Sequence, residues 1–200
     1  MSVRTSCSSP PALRALVSAL GALALLGTAR ANASLRALGA GRIIVTSNVT
    51  LLETPHEPLP IRLATQDLQN DFARVFGATP RIVTRRQDAG PVTLMIGEEA
   101  EIPPDMRPGT LMKPESFSIS VHGADWSPAT HAVVLTGPGV RGTMYAIYQF
   151  SQDYLGVDPM YYWTDRQPER RSSIALPDSL ERLFPPPLFK YRGFFINDED

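Results

Sequence analysis

The residues best equipped for chemistry stand together at the end of the chain: Asn197, Asp198, Glu199 and Asp200. They follow a short apolar run, Phe194-Phe195-Ile196, which is itself preceded by Tyr191-Arg192-Gly193. Carboxyl groups at a strand end can act as general acid, general base or acceptors for sugar hydroxyls. Alternation along an extended chain sends Asn197 and Glu199 to one side and Asp198 and Asp200 to the other. In closed barrels of eight strands and eight helices, catalytic groups sit at this carboxyl edge. An acidic, solvated tail is the competing interpretation, but the apolar run ahead of it then has nothing to bury it.

The other constellations are weaker. His56, His122 and His131 are never three or four residues apart, and no cysteine assists them, so they do not have metal-ligand spacing. Gly137-Pro138-Gly139 leads into a helix, whose N-terminus attracts anions. Neither phosphate-loop nor dinucleotide glycine patterns are present, however, and Arg141 opposes the helix dipole, so a plain strand-to-helix turn is expected. Met160-Tyr161-Tyr162-Trp163 suits either stacking on sugar rings or a buried seam between two domains, with the seam favoured. No Ser-His-Asp arrangement with a recognisable nucleophile elbow stands out.

The elements that must position these groups follow from periodicity. Arg42–Val45 reads as a strand. After a turn-rich segment holding Pro55, Pro58 and Pro60, residues Ile61–Phe76 show helical spacing, with Ala64, Leu68, Phe72, Val75 and Phe76 on one face and Gly77 as a left-handed cap. Arg81–Thr84 and Val92–Ile96 read as strands, the second stopped by Gly97, and the Pro-rich stretch from Glu98 to Pro114 as a loop. Phe117, Ile119 and Val121 alternate with Ser118, Ser120 and His122, the pattern of a half-buried strand. Ala132–Leu135 is an unbroken apolar strand expected at the centre of its sheet. A second helix follows, its core face predicted as Met144, Ile147, Tyr148, Ser151 and Leu155 and its end as Gly156, and Ser173–Leu176 is expected as a short edge strand. Strands interleaved with two helices predict an α/β domain with a mixed sheet of four or five strands over residues 34–177. Residues 178–187, ending in Pro185-Pro186-Pro187, read as a stiff linker, and residues 188–200 as the start of a further, truncated domain.

The first 33 residues are a separate object. Arg4 and Arg14 precede an uncharged apolar stretch, and Ala31-Asn32-Ala33 supplies a small-residue cleavage site, the order of a secretory signal peptide. The apolar run is short of the ~20 residues a bilayer span requires, which disfavours an uncleaved anchor. Cleavage removes three arginines and no acids, so 19 basic residues fall to 16 against 20 acidic ones. It also removes Cys7, the single cysteine, and with it any disulfide. A secreted, mildly acidic chain without basic clusters is expected to bind neither nucleic acid nor, once cleaved, membrane. Asn48-Val49-Thr50 is a short glycosylation sequon.

Three runs together resemble glycoside hydrolase family 115, the secreted microbial xylan α-1,2-glucuronidases. They are Arg141-Gly142-Thr143-Met144-Tyr145-Ala146-Ile147-Tyr148; Tyr154-Leu155-Gly156-Val157-Asp158-Pro159 with Tyr161-Tyr162-Trp163-Thr164-Asp165; and Tyr191-Arg192-Gly193-Phe194-Phe195-Ile196-Asn197-Asp198-Glu199-Asp200. The resemblance covers roughly Arg42 to Asp200. It implies an N-terminal α/β accessory domain like that of hexosaminidases, followed by a catalytic (β/α)₈ barrel of which only the first strand is present. It further implies inverting removal of glucuronic acid or its 4-O-methyl form from glucuronoxylan without a cofactor. The acid and base carboxyls of an inverting enzyme stand roughly 6.5–9.5 Å apart, and both are expected beyond Asp200. Asn197, Asp198 and Glu199 carry over as substrate-binding residues. Arg192 carries over less firmly, since an arginine at a strand start also serves structure. The chain alone is expected to be inactive, and a homodimer is open for the full-length protein. The alternatives are a stand-alone carbohydrate-binding or interaction module using the Tyr161–Trp163 surface, and the accessory domain of a related glycosidase such as a hexosaminidase.

Overall fold

The computed structural model describes residues 41–110, 112–126 and 128–193. The leader and the residues from Phe194 onward, including Asn197, Asp198 and Glu199, lie outside them. The elements are β1 (Arg42–Val45), β2 (Thr50–Glu53), α1 (Leu59–Phe76), β3 (Arg81–Val83), β4 (Val92–Glu98), β5 (Phe117–Gly123), β6 (His131–Gly137), α2 (Val140–Phe150), α3 (Tyr161–Thr164), β7 (Ile174–Pro177) and β8 (Glu181–Phe184). Six strands form one sheet in the order β3-β2-β4-β6-β5-β8, and β1 and β7 form a separate antiparallel ribbon. The fold is therefore the α/β class expected, with a mixed sheet. β3, β2, β4 and β6 run parallel, and β5 and β8 complete the sheet in antiparallel fashion.

A parallel pair needs a crossover, which α1 supplies between β2 and β3. Pro60 sits in the first turn of α1, where a missing N–H costs nothing. Ile61, Ala64, Leu68, Phe72 and Val75 form its buried stripe, and Gly77 closes it at φ 76°, ψ 8° with its N–H on the Ala73 carbonyl. The stripe packs on one sheet face, against Leu51, Leu94, Ile96, Val133 and Leu135 and against Ala146, Ile147 and Phe150 of α2. Phe72 and Phe150 stack with centroids 6.4 Å apart.

The opposite sheet face is also covered. Leu52, Met95, Ala132 and Val134 pack under Ile102 and Met106, which the Pro-rich loop delivers through two short 3₁₀ turns. Burial on both faces explains why β4 and β6 read as continuous apolar runs, and β6 is central, as its composition predicted.

The structure differs from the sequence expectations at several points. The sheet has six strands: β2 and β8 join it, while β1 and β7, the latter expected as its edge strand over Ser173–Leu176, pair with each other outside it. Residues 181–184, read as part of the linker, form β8 and pair with β5 from Phe117↔Phe184 to Ser120↔Glu181, with the two phenyl rings stacked at 4.4 Å. Ser118 and Ser120 are buried along with Ile119, so β5 is not half-exposed. Gly97 does not stop β4. The strand runs through it to Glu98, and a Cβ at Gly97 would lie 2.8 Å from the Glu57 carboxylate packed there. In α2, Phe150 is buried and Tyr148 is exposed, because Ser151–Leu155 forms a π-helical turn that shifts the phase of the buried face before Gly156 ends it. Among the described residues, no helix is long and apolar enough to cross a membrane.

Candidate functional site

Of the site residues expected from sequence, Arg192 falls among the described residues. Its Nη2 donates to Glu115 Oε2 at 2.9 Å and to the Tyr145 hydroxyl at 2.8 Å, and its Nη1 donates to the Phe189 carbonyl. Glu115 receives a second arginine from the other side, Arg141 Nη1 at 2.7 Å. The two guanidiniums, Arg192 first, hold the Glu115 carboxyl below its ordinary range, and Glu115 in turn raises Arg192. Glu115 takes a left-handed backbone at φ 65° just before β5, which is unusual for a residue with a Cβ. Tyr145 lies on α2 and meets Phe117 edge-on at 6.3 Å. The cluster thus ties the segment leading toward Asn197 to the start of β5 and the first turns of α2.

Beside it, at the carboxyl end of β6, a cavity of about 380 Å³ is lined by Met112, Pro114, Glu115, Gly139, Arg141 and Gly142 among others. The turn here is tight. A Cβ on Gly137 would lie 2.5–2.7 Å from the backbone of Gly142 and Thr143, and one on Gly142 would run into the Ser116 carbonyl. The charged groups lining the cavity, Glu115 and Arg141, are paired with each other. That arrangement positions a chain segment; it offers no nucleophile and no free carboxyl pair.

Sequence reasoning missed a second group of carboxylates. Glu53 ends β2 and Glu57 closes the turn before α1, its N–H on the Thr54 carbonyl, both buried. Glu57 accepts from Thr54 Oγ1 at 2.5 Å, while Glu53 Oε1 and Glu57 Oε2 find no partner among the described residues. Burial raises both acids, and Glu98, Glu53 and Glu101 push Glu57 further up. These residues sit at the carboxyl ends of parallel strands, the usual ligand edge of an open α/β sheet. Recognising β2 was the signal that would have found Glu53.

The histidines do not converge. His122 shares a 2.9 Å hydrogen bond with Ser120 Oγ and is lowered by burial, and His131 meets Thr130 Oγ1 at 3.2 Å. Among the described residues, no three His, Cys, Asp or Glu side chains could hold a metal ion together. Of the aromatic run, Tyr161 is partly buried, while Tyr162 and Trp163 are 77% and 68% exposed.

No family model matches the chain, and no curated protein matches it. Solved structures do. One is a family GH115 4-O-methyl-α-glucuronidase with specificity for decorated arabinogalactans, at 22% identity and TM-score 0.54 over 70% of this chain and 18% of that one. The two share a fold across the α/β domain. A second match is a Streptomyces plicatus β-hexosaminidase mutant with bound product, at 12% identity and TM-score 0.46 over 77% of this chain and 25% of that one. The chain spans about a fifth of the glucuronidase's length and a quarter of the hexosaminidase's.

Proposed function

We propose that this chain is the N-terminal part of a secreted glycoside hydrolase that removes glucuronic acid or 4-O-methylglucuronic acid side chains from a plant polysaccharide by inverting hydrolysis. The observation that carries the reading is the shared fold with a 4-O-methyl-α-glucuronidase over the α/β domain, in a chain whose sequence continues into Tyr-Arg-Gly-Phe-Phe-Ile-Asn-Asp-Glu-Asp. In this reading the α/β domain is an accessory layer. Asn197, Asp198 and Glu199 bind substrate at the end of the first barrel strand, and the principal acid and base come from strands further along. Arg192, held by Glu115 and Tyr145, anchors that first strand to the accessory domain.

The xylan preference comes from the sequence resemblance, and the related structure is described as specific for decorated arabinogalactans. The test therefore uses both polymers. The product of the complete open reading frame is incubated with glucuronoxylan and with glucuronic-acid-decorated arabinogalactan, and released uronic acids are separated by anion-exchange chromatography. Release of 4-O-methylglucuronic or glucuronic acid from either polymer is expected, and none from the 200-residue chain alone. Absence of uronic acid release from both polymers by the complete product would overturn the proposal.

A further inference from the structure

A second cavity, about 260 Å³, opens between α1 and the π-helical turn after α2, lined by Asp67, Asp71, Tyr148, Ser151, Pro159 and Tyr161 among others. Its parts are held in place by one another. Asp71 is buried and accepts from the Ser151 hydroxyl and from Arg74 Nη1 at 2.9 Å. The same Arg74 guanidinium lies 4.4 Å from the Tyr161 ring centroid, so one arginine fixes a carboxylate and an aromatic wall together. Across the opening, the Tyr148 hydroxyl donates to Asp67 Oδ2 at 2.8 Å while the side of its ring stays accessible, the residue being 43% exposed.

Three features define what fits. An ionised carboxylate offers about four acceptor positions; Asp67 and Asp71 therefore keep unused acceptors after the bonds above. Two tyrosine rings and Pro159 supply flat apolar surface beside them. Asp67, Asp71 and Asp158 line the space with no cation among the lining residues. Arg74 is paired with Asp71 and Arg166 with Asp158, so no free cation is offered to an acidic ligand. The one lining carboxylate left without an arginine among the described residues, Asp67, is too weak a field to require a cationic ligand. A neutral sugar ring donates several hydrogen bonds, carries a C–H face and has no charge, and so meets all three. The volume lies just below the roughly 300–1,000 Å³ of pockets for drug-sized ligands, the scale of one ring rather than a chain. Tyr162 and Trp163, next in the chain after Tyr161, are exposed and packed edge-to-face at 5.5 Å.

We infer that this groove binds a neutral pyranose unit of a polysaccharide main chain, so that the domain holds the backbone of a polymer and not its acidic branches. The inference goes beyond the glucuronidase reading and is tested by binding to the 200-residue chain, without any measurement of hydrolysis.

Titration of the ¹⁵N-labelled chain with xylohexaose and with β-1,3-galactotriose is expected to give saturable amide shifts around Tyr148, Gln152 and Tyr161 with at least one of them, at roughly millimolar Kd. Asp67→Ala, at an exposed helix position, is expected to weaken that binding roughly tenfold with the amide spectrum elsewhere unchanged. Tyr148→Phe, which keeps the ring, is expected to retain it within about threefold. Glucuronic acid is expected to give no saturable shift. The inference is overturned if neither oligosaccharide binds, if shifts are confined to Tyr162 and Trp163 and ignore Asp67→Ala, or if glucuronic acid or the cationic glucosamine binds as tightly as the neutral sugars.

Discussion

Replacing Gly137 by alanine tests how tightly the end of β6 is wedged against α2. The new Cβ would sit 2.5 Å from the Gly142 carbonyl carbon, 2.6 Å from the Thr143 nitrogen and 2.7 Å from the Gly142 Cα, against the ~3.5–4.0 Å at which non-bonded carbons rest. All three atoms are backbone, so no side chain can swing away, and relief requires the first turn of α2 to move by about an ångström. That movement strains the bonds from Thr143 N to the Gly139 carbonyl (3.1 Å) and from Thr143 Oγ1 to the Gly97 carbonyl (3.4 Å). Overpacking costs about 1–3 kcal/mol and each weakened hydrogen bond about 1 kcal/mol; a total near 3 kcal/mol is expected. For a domain of this size that lowers Tm by roughly 6–12 °C. The assay is thermal unfolding by circular dichroism, with Gly109→Ala as control, because a Cβ there meets nothing within 4 Å and should change stability by less than about 0.5 kcal/mol. Equal Tm values for the two variants would refute the reasoning.

Phe72→Ala removes a fully buried ring that stacks on Phe150 and is expected to cost about 3–5 kcal/mol in urea unfolding. Glu53 is buried with its pKa raised: the folded state holds its proton more tightly, so stability falls as pH rises through the interval between the unfolded and folded values. Glu53→Gln should therefore raise Tm at about pH 8, with the gain shrinking toward pH 4; a gain independent of pH would contradict burial as the cause. Glu115 has the opposite sign: its depressed pKa adds stability above the unfolded value and loses it as pH falls. Arg192→Ala should move the Glu115 carboxyl titration upward in ¹³C-detected NMR, and an unmoved titration would show that Arg192 does not hold it.

Helix α1 was legible because its apolar residues recur at the helical period over eighteen positions and its cap glycine stands where the period ends. Central β6 was legible from an unbroken apolar run. The missed elements carry no such pattern. β2 is four residues, all buried, Thr-Leu-Leu-Glu, too short and too uniform to show a period. β8, Glu-Arg-Leu-Phe, is mostly exposed and is a strand through its partner β5. A 3.6-residue period cannot reveal a π-helical turn, so Tyr148 was placed inward and Phe150 overlooked. Asp71 is a polar residue on a buried stripe, accounted for by a serine 80 positions away. The Arg192–Glu115 pair joins residues 77 apart, a distance over which local spacing is silent.

The π-helical turn couples the groove to the core. Relative to a regular helix it holds one residue more per hydrogen-bonded loop, and each residue turns a helix by about 100°. Deleting a single position between Ser151 and Leu155 would therefore swing Leu155 off the core or carry the Ser151 hydroxyl away from Asp71. The extra residue of this turn is thus what lets the Ser151 hydroxyl reach Asp71 while Leu155 stays in the core.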